Sequence, residues 1–550
     1  MAGTEPDVED AEAPSPAAQP GRLHQNGDAR LDARSRLWRA ATADPSLLLV
    51  LLLSAAVGAV AIYWFFQHDL VVRYNDAQSH LNIARRVFDS RNPSVAQLGT
   101  VWLPVPHILM LPLVASDFLW QTGLAGSIVG LVSFVATAGV LFQSVRLVTR
   151  HELAAWIGVL AFVSNPNVLY LQATPMTEPV LMLGMTASAY YLLRWSKRGS
   201  HSSLIVGGVL AAVAVGSRYD GWFYAASSAA LVLCSEYFAS RDASRAEGLT
   251  LAYVVIPVYA MFIWFFYNWV IFGDPLEFAR GQFSAAYQQE QILKGGGLAT
   301  KHNAVLSVLA YSWAVMDNMG LATLFLGLAG LLAYLSTTRF RPNSLLPYAF
   351  LSPYFFNIIA LWMGQTVLNT PQSDPPGYFN TRYGVLMLPA AVVFLAYLAD
   401  VMILRLRPIA VVLIFALAIG AQFYLWVPQW PTSLITVTDA MDDAVKHRDW
   451  IGVAEYLRTN YDGQGILIDD TNSPFLFSTG LPLREYIATF SGELWTAALK
   501  NPTDHVGWVV LYPDAPNDRV TAGIDHAKLS NDYRLAFEQN GCAVYRRTRR

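Results

Sequence analysis

The chain has 550 residues, 54% of them hydrophobic and only 14% charged. Soluble domains carry about 25% charge, so the composition excludes an ordinary soluble enzyme and points to a polytopic membrane protein. A net charge of −3 supplies no basic field for nucleic acid, and two cysteines, Cys234 and Cys542, cannot frame a disulfide-built fold.

Residues 1 to about 44 are rich in Ala, Pro and acidic residues and then in Arg, with no apolar core. They read as a disordered cytoplasmic segment rather than a cleavable signal peptide. Arg30, Arg34, Arg36 and Arg39 sit just before the first apolar run and hold that end in the cytoplasm by the positive-inside rule. The Asn-X-Ser/Thr triplets at Asn92 and Asn501 have proline in the middle, which blocks glycosylation and favours a bacterial or archaeal membrane.

A hydrocarbon core about 30 Å thick takes roughly 20 apolar residues per helix. Eleven spans result, near 46–66, 124–146, 152–168, 178–194, 203–217, 221–238, 249–272, 319–336, 345–363, 384–403 and 408–428, with 104–120 as a short or interfacial helix. The inner loops this produces are short and basic: Arg146 and Arg150, then Arg194, Lys197 and Arg198, then Arg241 and Arg245, Arg339 and Arg341, Arg405 and Arg407. A single missed span would break that alternation. The outer loops, 67–123, 169–177, 218–220, 273–318 and 364–383, hold the acidic residues and the Pro-rich turns. Cys234 and Cys542 fall on opposite sides and do not pair.

The division expected is therefore a cytoplasmic segment 1–44, a transmembrane module 45–430, and an extracytoplasmic α/β domain 431–550. In the last, 440–460 reads as an amphipathic helix, and Gly465–Asp469, Trp508–Tyr512 and Cys542–Tyr545 as strands.

The polar motifs cluster in the outer loops. Asp76, in Arg73-Tyr-Asn-Asp-Ala-Gln-Ser-His80, is either a helix N-cap or a functional carboxylate. His80 shares its helical face, a spacing at which the pair can hold a divalent metal or orient each other. In Gly99-Thr-Val-Trp-Leu-Pro-Val-Pro-His107, two prolines force an extended entry to the next helix, and Trp102 is either a belt aromatic or a sugar platform. Glu178 opens the fourth span, where a charge is costly and usually functional, the alternative being a favourable helix-terminal acid. Arg218, Tyr219 and Asp220 form a tight hairpin, an internal ion pair or an arginine offered to a lipid phosphate. The loop from Arg280 to Asn303, with Gly295-Gly-Gly297, has the length of a lid. Arg382, in Asn380-Thr-Arg-Tyr-Gly384, offers a permanent charge with fork geometry at the lip of a span, or else snorkels there.

This order of motifs resembles the GT-C membrane glycosyltransferases, in particular the bacterial protein O-mannosyltransferase and lipid A aminoarabinose-transferase superfamily, over residues 45–430. The resemblance implies transfer of a hexosyl or pentosyl group from a polyprenyl-phosphate donor to a glycan, lipid or protein acceptor on the outer face. It implies catalytic roles for Asp76 and Glu178 and donor-phosphate binding by Arg382. Beside them, the outer motifs offer Arg218 as a second phosphate ligand and His80, Trp102, His107, Tyr219, Asp220 and Tyr383 as candidate substrate contacts. No cofactor is certain; a divalent metal on Asp76, His80 and Glu178 is the candidate. Relatives often carry paired acids where Asn75 and Ala77 flank a single Asp, which weakens a two-carboxylate metal site, and no Trp-Trp-Asp-Tyr-Gly motif of the oligosaccharyltransferases is present. The rival reading is a transporter or lipid flippase, which calls for repeat symmetry and broken midplane helices. Convergence of Asp76, Glu178 and Arg382 on one cavity would favour the enzyme.

Overall fold

The computed structural model describes residues 44–281, 284, 287, 289, 299–445, 450–469, 473–512 and 518–548. The segment before residue 44 and the Gly295–Gly297 loop lie outside them. The chain divides into Met1–Leu49, which contributes only the start of the first apolar helix to the described residues, and Val50–Arg550, which holds the rest of the fold.

Each of the eleven apolar stretches forms helix. Seven are long and apolar enough to cross a membrane: Pro45–Gln67, Leu124–Val148, Ala243–Phe272, Leu321–Thr338, Pro342–Met363, Thr381–Ile403 and Pro408–Gln429. An eighth is a broken pair, Glu152–Val163 and Pro166–Gln172, bent by 62°. The remaining three depart from the simple span expected of them. His201–Val215 is short, Asp220–Ser240 is serine-rich, and Glu178–Arg198 is charged at both ends. These three pack against each other; Glu178–Arg198 also packs on Leu124–Val148, and the other two pack on Ala243–Phe272.

The lipid-facing helices are recognisable by what they leave uncovered. Only 17% of the apolar stretch of Ala243–Phe272 is buried within the protein, against 67% for Thr381–Ile403. Val255, Phe262 and Phe266 point outward. On a helix long and apolar enough to cross a membrane, a contiguous apolar surface of this extent fits contact with lipid. Thr381–Ile403 forms the centre of the bundle, packed on Leu321–Thr338 and Glu152–Val163.

The broken span has a local cause. Asn165 sits outside helical geometry, its side chain accepts from the backbone N–H groups of Asn167 and Val168, and Pro166 starts the next helix. A proline at the first helical position needs no N–H partner, and the Asn cap replaces the bonds that the break removes. The bend brings Asn165, Asn167 and Tyr170 into the interior, where each is hydrogen-bonded.

The C-terminal region carries a five-stranded sheet: β1 (Ile466–Leu467), β2 (Tyr486–Ile487), β3 (Trp508–Leu511), β4 (Tyr533–Gln539) and β5 (Cys542–Arg547), in the order β2-β1-β3-β5-β4. β1 runs parallel to β2 and β3; β5 is antiparallel to β3 and β4. Side chains alternate between its faces, as the two-residue period of a strand requires. Leu467, Val509 and Leu511 pack under the short helices from Glu493 onward. Ile466, Ile468, Trp508, Val510 and Val544 pack on the other face, in one continuous core with Leu81, Ala84, Met110, Val114 and Trp120 of the loop after the first span. Each such fully buried side chain contributes roughly 1.5–3 kcal/mol. Polar ties reinforce the junction: Arg85 donates to Asp89, Asp117 and the Val114 carbonyl, while Arg484 reaches Asp89 from the sheet side. The sheet thus buttresses the helix Asn75–Arg86. Cys234 and Cys542 are both free.

Candidate active site

The helix Asn75–Arg86 is capped in trans. Its N-cap is Tyr74, with no side-chain cap bond of its own. Instead Asp443, from the helix Ile435–Val445, accepts the Asn75 backbone N–H at 2.9 Å, and the Asn75 amide donates to the Asp443 carbonyl at 3.1 Å. A carboxylate is favoured at a helix N-terminus by the unsatisfied N–H groups there. Because Asp443 fills that place, Asp76 is not a cap, and its carboxylate turns to Arg382 instead.

Arg382 joins four segments distant in sequence. Its Nη2 lies 2.5 Å from Asp76 Oδ2, its Nε 3.2 Å from Glu178 Oε1, and its Nη1 3.8 Å from Asp439 Oδ2. Arg218 meets the same Glu178 oxygen at 3.1 Å and Asp220 at 3.3 Å. The guanidinium of Arg382 also stands over the rings of Tyr74 and Tyr383, at 4.9 and 5.3 Å, and that of Arg218 over Tyr383 at 4.5 Å. Two permanent cations are thus matched by the carboxylates of Asp76, Glu178, Asp220 and Asp439. Glu178 is fully buried, Arg382 is 4% exposed, and the Asp76 side chain, at 37%, is the accessible member. Glu178 Oε2 has no hydrogen-bond partner among the described residues. Helix ends that a zigzag of spans brings to one face are here in direct contact, which the motif spacing alone could not establish.

Close backbone packing sets Arg382 in place. It lies on a short 3-10 turn, Thr381–Met387, that abuts the helix Ala304–Met319. A Cβ on Gly384 would fall 2.2 Å from the Ala314 carbonyl oxygen, so only glycine allows this approach. Asn318 donates to the Thr381 carbonyl at 2.7 Å, Thr381 Oγ1 donates to Asp439, and the Asn318 carbonyl accepts from Asn165 and Asn167. Asn167 in turn accepts from Thr436. These hydrogen bonds tie four segments into one buried layer, which makes it a rigid back wall.

The remaining sequence candidates border the charged centre. His80 Nδ1 lies 2.9 Å from His107 Nε2, and both rings are buried. Burial, then the charges of Arg218 and Arg382, hold His80 down at about 3. Burial and His80 likewise hold His107 well below its ordinary value. Both imidazoles are therefore neutral at physiological pH. Trp102 lies 4.6 Å from the His80 ring, and Tyr219 donates to the Val101 carbonyl at 3.0 Å. The metal candidates do not form a ligand set. Asp76 and Glu178 face guanidiniums and His80 faces His107; among the described residues no group of three or more His, Cys, Asp or Glu is placed to hold an ion.

Sequence reasoning missed Asp439, Asp443 and Tyr74. Asp443 falls in the single helix expected over 440–460 and Asp439 just before it, whereas the structure has two helices, Ile435–Val445 and Ile451–Asn460. The Asp-rich run Asp439, Asp442, Asp443 directly after the last span was the available signal. Burial pushes Asp439 up to about 6 despite the opposing charge of Arg382.

The architecture is that of the GT-C membrane glycosyltransferase fold. No protein-family model matches the sequence, and no curated protein matches it by sequence. Among solved structures, the chain is similar to ArnT from Cupriavidus metallidurans bound to undecaprenyl phosphate, with 14% identity and a TM-score of 0.53 over 90% of this chain and 97% of that one. The apo form of ArnT gives 15% identity and a TM-score of 0.51 at the same coverage. The Archaeoglobus fulgidus oligosaccharyltransferase, solved with zinc and sulfate, is a looser neighbour at 13% identity and a TM-score of 0.48, covering 84% of this chain and 67% of that one.

Proposed function

We propose that this protein is a membrane glycosyltransferase that moves a hexosyl or pentosyl group from a polyprenyl-phosphate donor to a glycan, lipid or protein acceptor on the outer face of the membrane. The observation that carries the reading is the convergence of Asp76, Glu178, Arg218 and Arg382 on a single centre, with Asp76 the accessible carboxylate. The fold shared with ArnT, which has been solved with undecaprenyl phosphate, supports it. In this reading the N-terminus is cytoplasmic, residues 45–430 form the catalytic module, and residues 431–550 lie outside the cell.

The chemistry follows from the partners in place. A sugar phosphodiester carries one negative charge, which a guanidinium fork binds well. Arg382 faces Asp76 in the structure, so a phosphate arriving at Arg382 takes over that pairing and releases Asp76. Asp76 then accepts the proton of the acceptor hydroxyl as its oxygen attacks the anomeric carbon. The bond from that carbon to the phosphate oxygen breaks, the electron pair stays on the phosphate, and polyprenyl phosphate leaves. Arg382 and Arg218 absorb the developing charge. One base and one leaving group give a single displacement with inversion.

Glu178 holds the two guanidiniums at a fixed separation. His80, tethered to His107 and neutral, offers a ring nitrogen as acceptor to a sugar hydroxyl, with Trp102, Tyr219, Asp220 and Tyr383 lining the approach. No step is routed through a metal, because the candidate ligands are each engaged elsewhere.

The test uses sealed proteoliposomes holding the purified protein and radiolabelled polyprenyl-phosphate sugars. Label passing from the lipid to a membrane or added acceptor supports a transferase. Label that changes leaflet while staying on its lipid supports the flippase reading instead.

A further inference from the structure

A second cleft lies behind the back wall. It is bounded by the end of the helix Ala304–Met319, the turn from Pro371 to Tyr378, the end of the helix Pro408–Trp426 and the start of the helix Ile435–Val445, and its volume is about 410 Å³. Pockets for small molecules run from roughly 300 to 1,000 Å³. Neither the charged centre nor the motifs read from sequence use it.

Its lining has a definite chemistry. Asp317 presents a carboxylate whose Oδ2 is buried without a hydrogen-bond partner among the described residues, while Oδ1 accepts from Gln372 at 3.3 Å. Burial pushes Asp317 up to about 6, so it is largely ionised at neutral pH. Among the described residues, no Lys, Arg or His lines the cleft. Trp426 and Tyr378 supply aromatic surface. Gln429 adds an amide, and Thr432 and Thr438, whose hydroxyls donate to backbone carbonyls, keep their oxygen lone pairs for a ligand. An anionic cleft without a cation repels phosphate. Aromatic faces beside a carboxylate, an amide and hydroxyl acceptors suit the apolar face and the many hydroxyls of a sugar ring.

We propose that this cleft is a second saccharide-binding site, distinct from the Arg382 centre. It shares that centre's wall. Asp317 precedes Asn318, which holds the Thr381 carbonyl, and Thr438 precedes Asp439, which accepts from Thr381 Oγ1. A sugar in the cleft therefore rests on the other side of the layer that positions Arg382. The lining alone carries this assignment, independently of the transfer reaction.

The experiment is saturation-transfer NMR on the full-length protein in phosphatidylcholine nanodiscs. The probes are methyl α-mannopyranoside, N-acetylglucosamine and, as an amine without a ring, ethanolamine. At least one sugar is expected to be saturated, with the signal falling fivefold or more in Asp317→Asn and in Gln429→Ala and persisting in Arg382→Ala. Gln429 is exposed, so its variant decides should Asp317→Asn fail to fold. Saturation of neither sugar, saturation of ethanolamine alone, a change under fivefold in the cleft variants, or a loss confined to Arg382→Ala would each overturn the proposal.

Discussion

The helix Ile435–Val445 has two faces that solve opposite electrostatic problems. On one, Asp439 meets Arg382, in a cluster where every carboxylate has a guanidinium within 4 Å. On the other, Thr438 opens onto a cleft whose carboxylate, Asp317, has no cation among the described lining residues. The charged face is assembled from five separate stretches of chain and is tightly packed. The cleft face is roomier and rests on neutral polar groups. In the proposed reaction the charged centre binds and releases an anion, which needs cations held firmly by exchangeable partners. A site for neutral hydroxyls needs acceptors with unspent capacity.

Arg382→Ala breaks the charged face most severely. It leaves Asp76, Glu178 and Asp439 without their shared cation. Breaking a buried ion pair costs about 3–5 kcal/mol, and loss of one charge-stabilising donor costs on the order of 10²–10³ in rate. Transfer should fall by at least that factor, with a clear drop in melting temperature, while sugar binding in the cleft persists. Arg382→Lys should restore stability more than activity, because an ammonium cannot span two carboxylates as a fork does.

Gly384→Ala acts on the wall itself. The added methyl meets the Ala314 carbonyl, so the turn bearing Arg382 must shift. Overpacking of this kind costs about 1–3 kcal/mol. A displacement near 1 Å at a reacting group can cost about 10²-fold, so transfer should drop by roughly 10- to 100-fold with a modest loss of stability. A variant with wild-type transfer would show that the close approach does not position Arg382.

The smallest effect concerns Asp439. Its carboxyl is raised to about 6 by burial, and it faces Arg382, Thr381 and Asp443. The folded state holds this proton above the ordinary carboxylate range, so its contribution to stability is full at low pH and is lost as pH rises through about 6. Protonation also removes a negative charge beside Arg382, whereas a phosphodiester keeps its single charge. The donor KM should therefore fall severalfold as pH drops through 6, and Asp439→Asn should show the low KM throughout. A wild-type KM that is flat from pH 5 to 8 would contradict this.

The charged centre was legible in part because its charges fall at the ends of apolar runs. Asp76, Glu178, Arg218 and Arg382 stand out as polar residues at the mouths of apolar runs, where burial of a charge needs a reason. Asp439 did not, because its partner lies 57 residues earlier in sequence and its own segment carries no span signal. The break at Asn165-Pro166 is hidden inside one continuous apolar stretch, although a proline after Asn is a helix-start signal. The helix Ala304–Met319 lacks a long apolar run and so falls within the outer loop expected at 273–318. β2 is two residues long, and β4 is largely solvent-exposed, so neither carries a strong hydrophobic pattern.

In the proposed mechanism, donor phosphate replaces Asp76 on Arg382 and so frees the base. Asp76→Asn tests it most directly, with donor binding and single-turnover transfer measured on the same purified protein. Donor binding should be as tight as wild type or tighter, since a competing carboxylate is gone, with transfer lowered by about 10²–10⁴-fold. Transfer within tenfold of wild type, or loss of donor binding together with transfer, would contradict it.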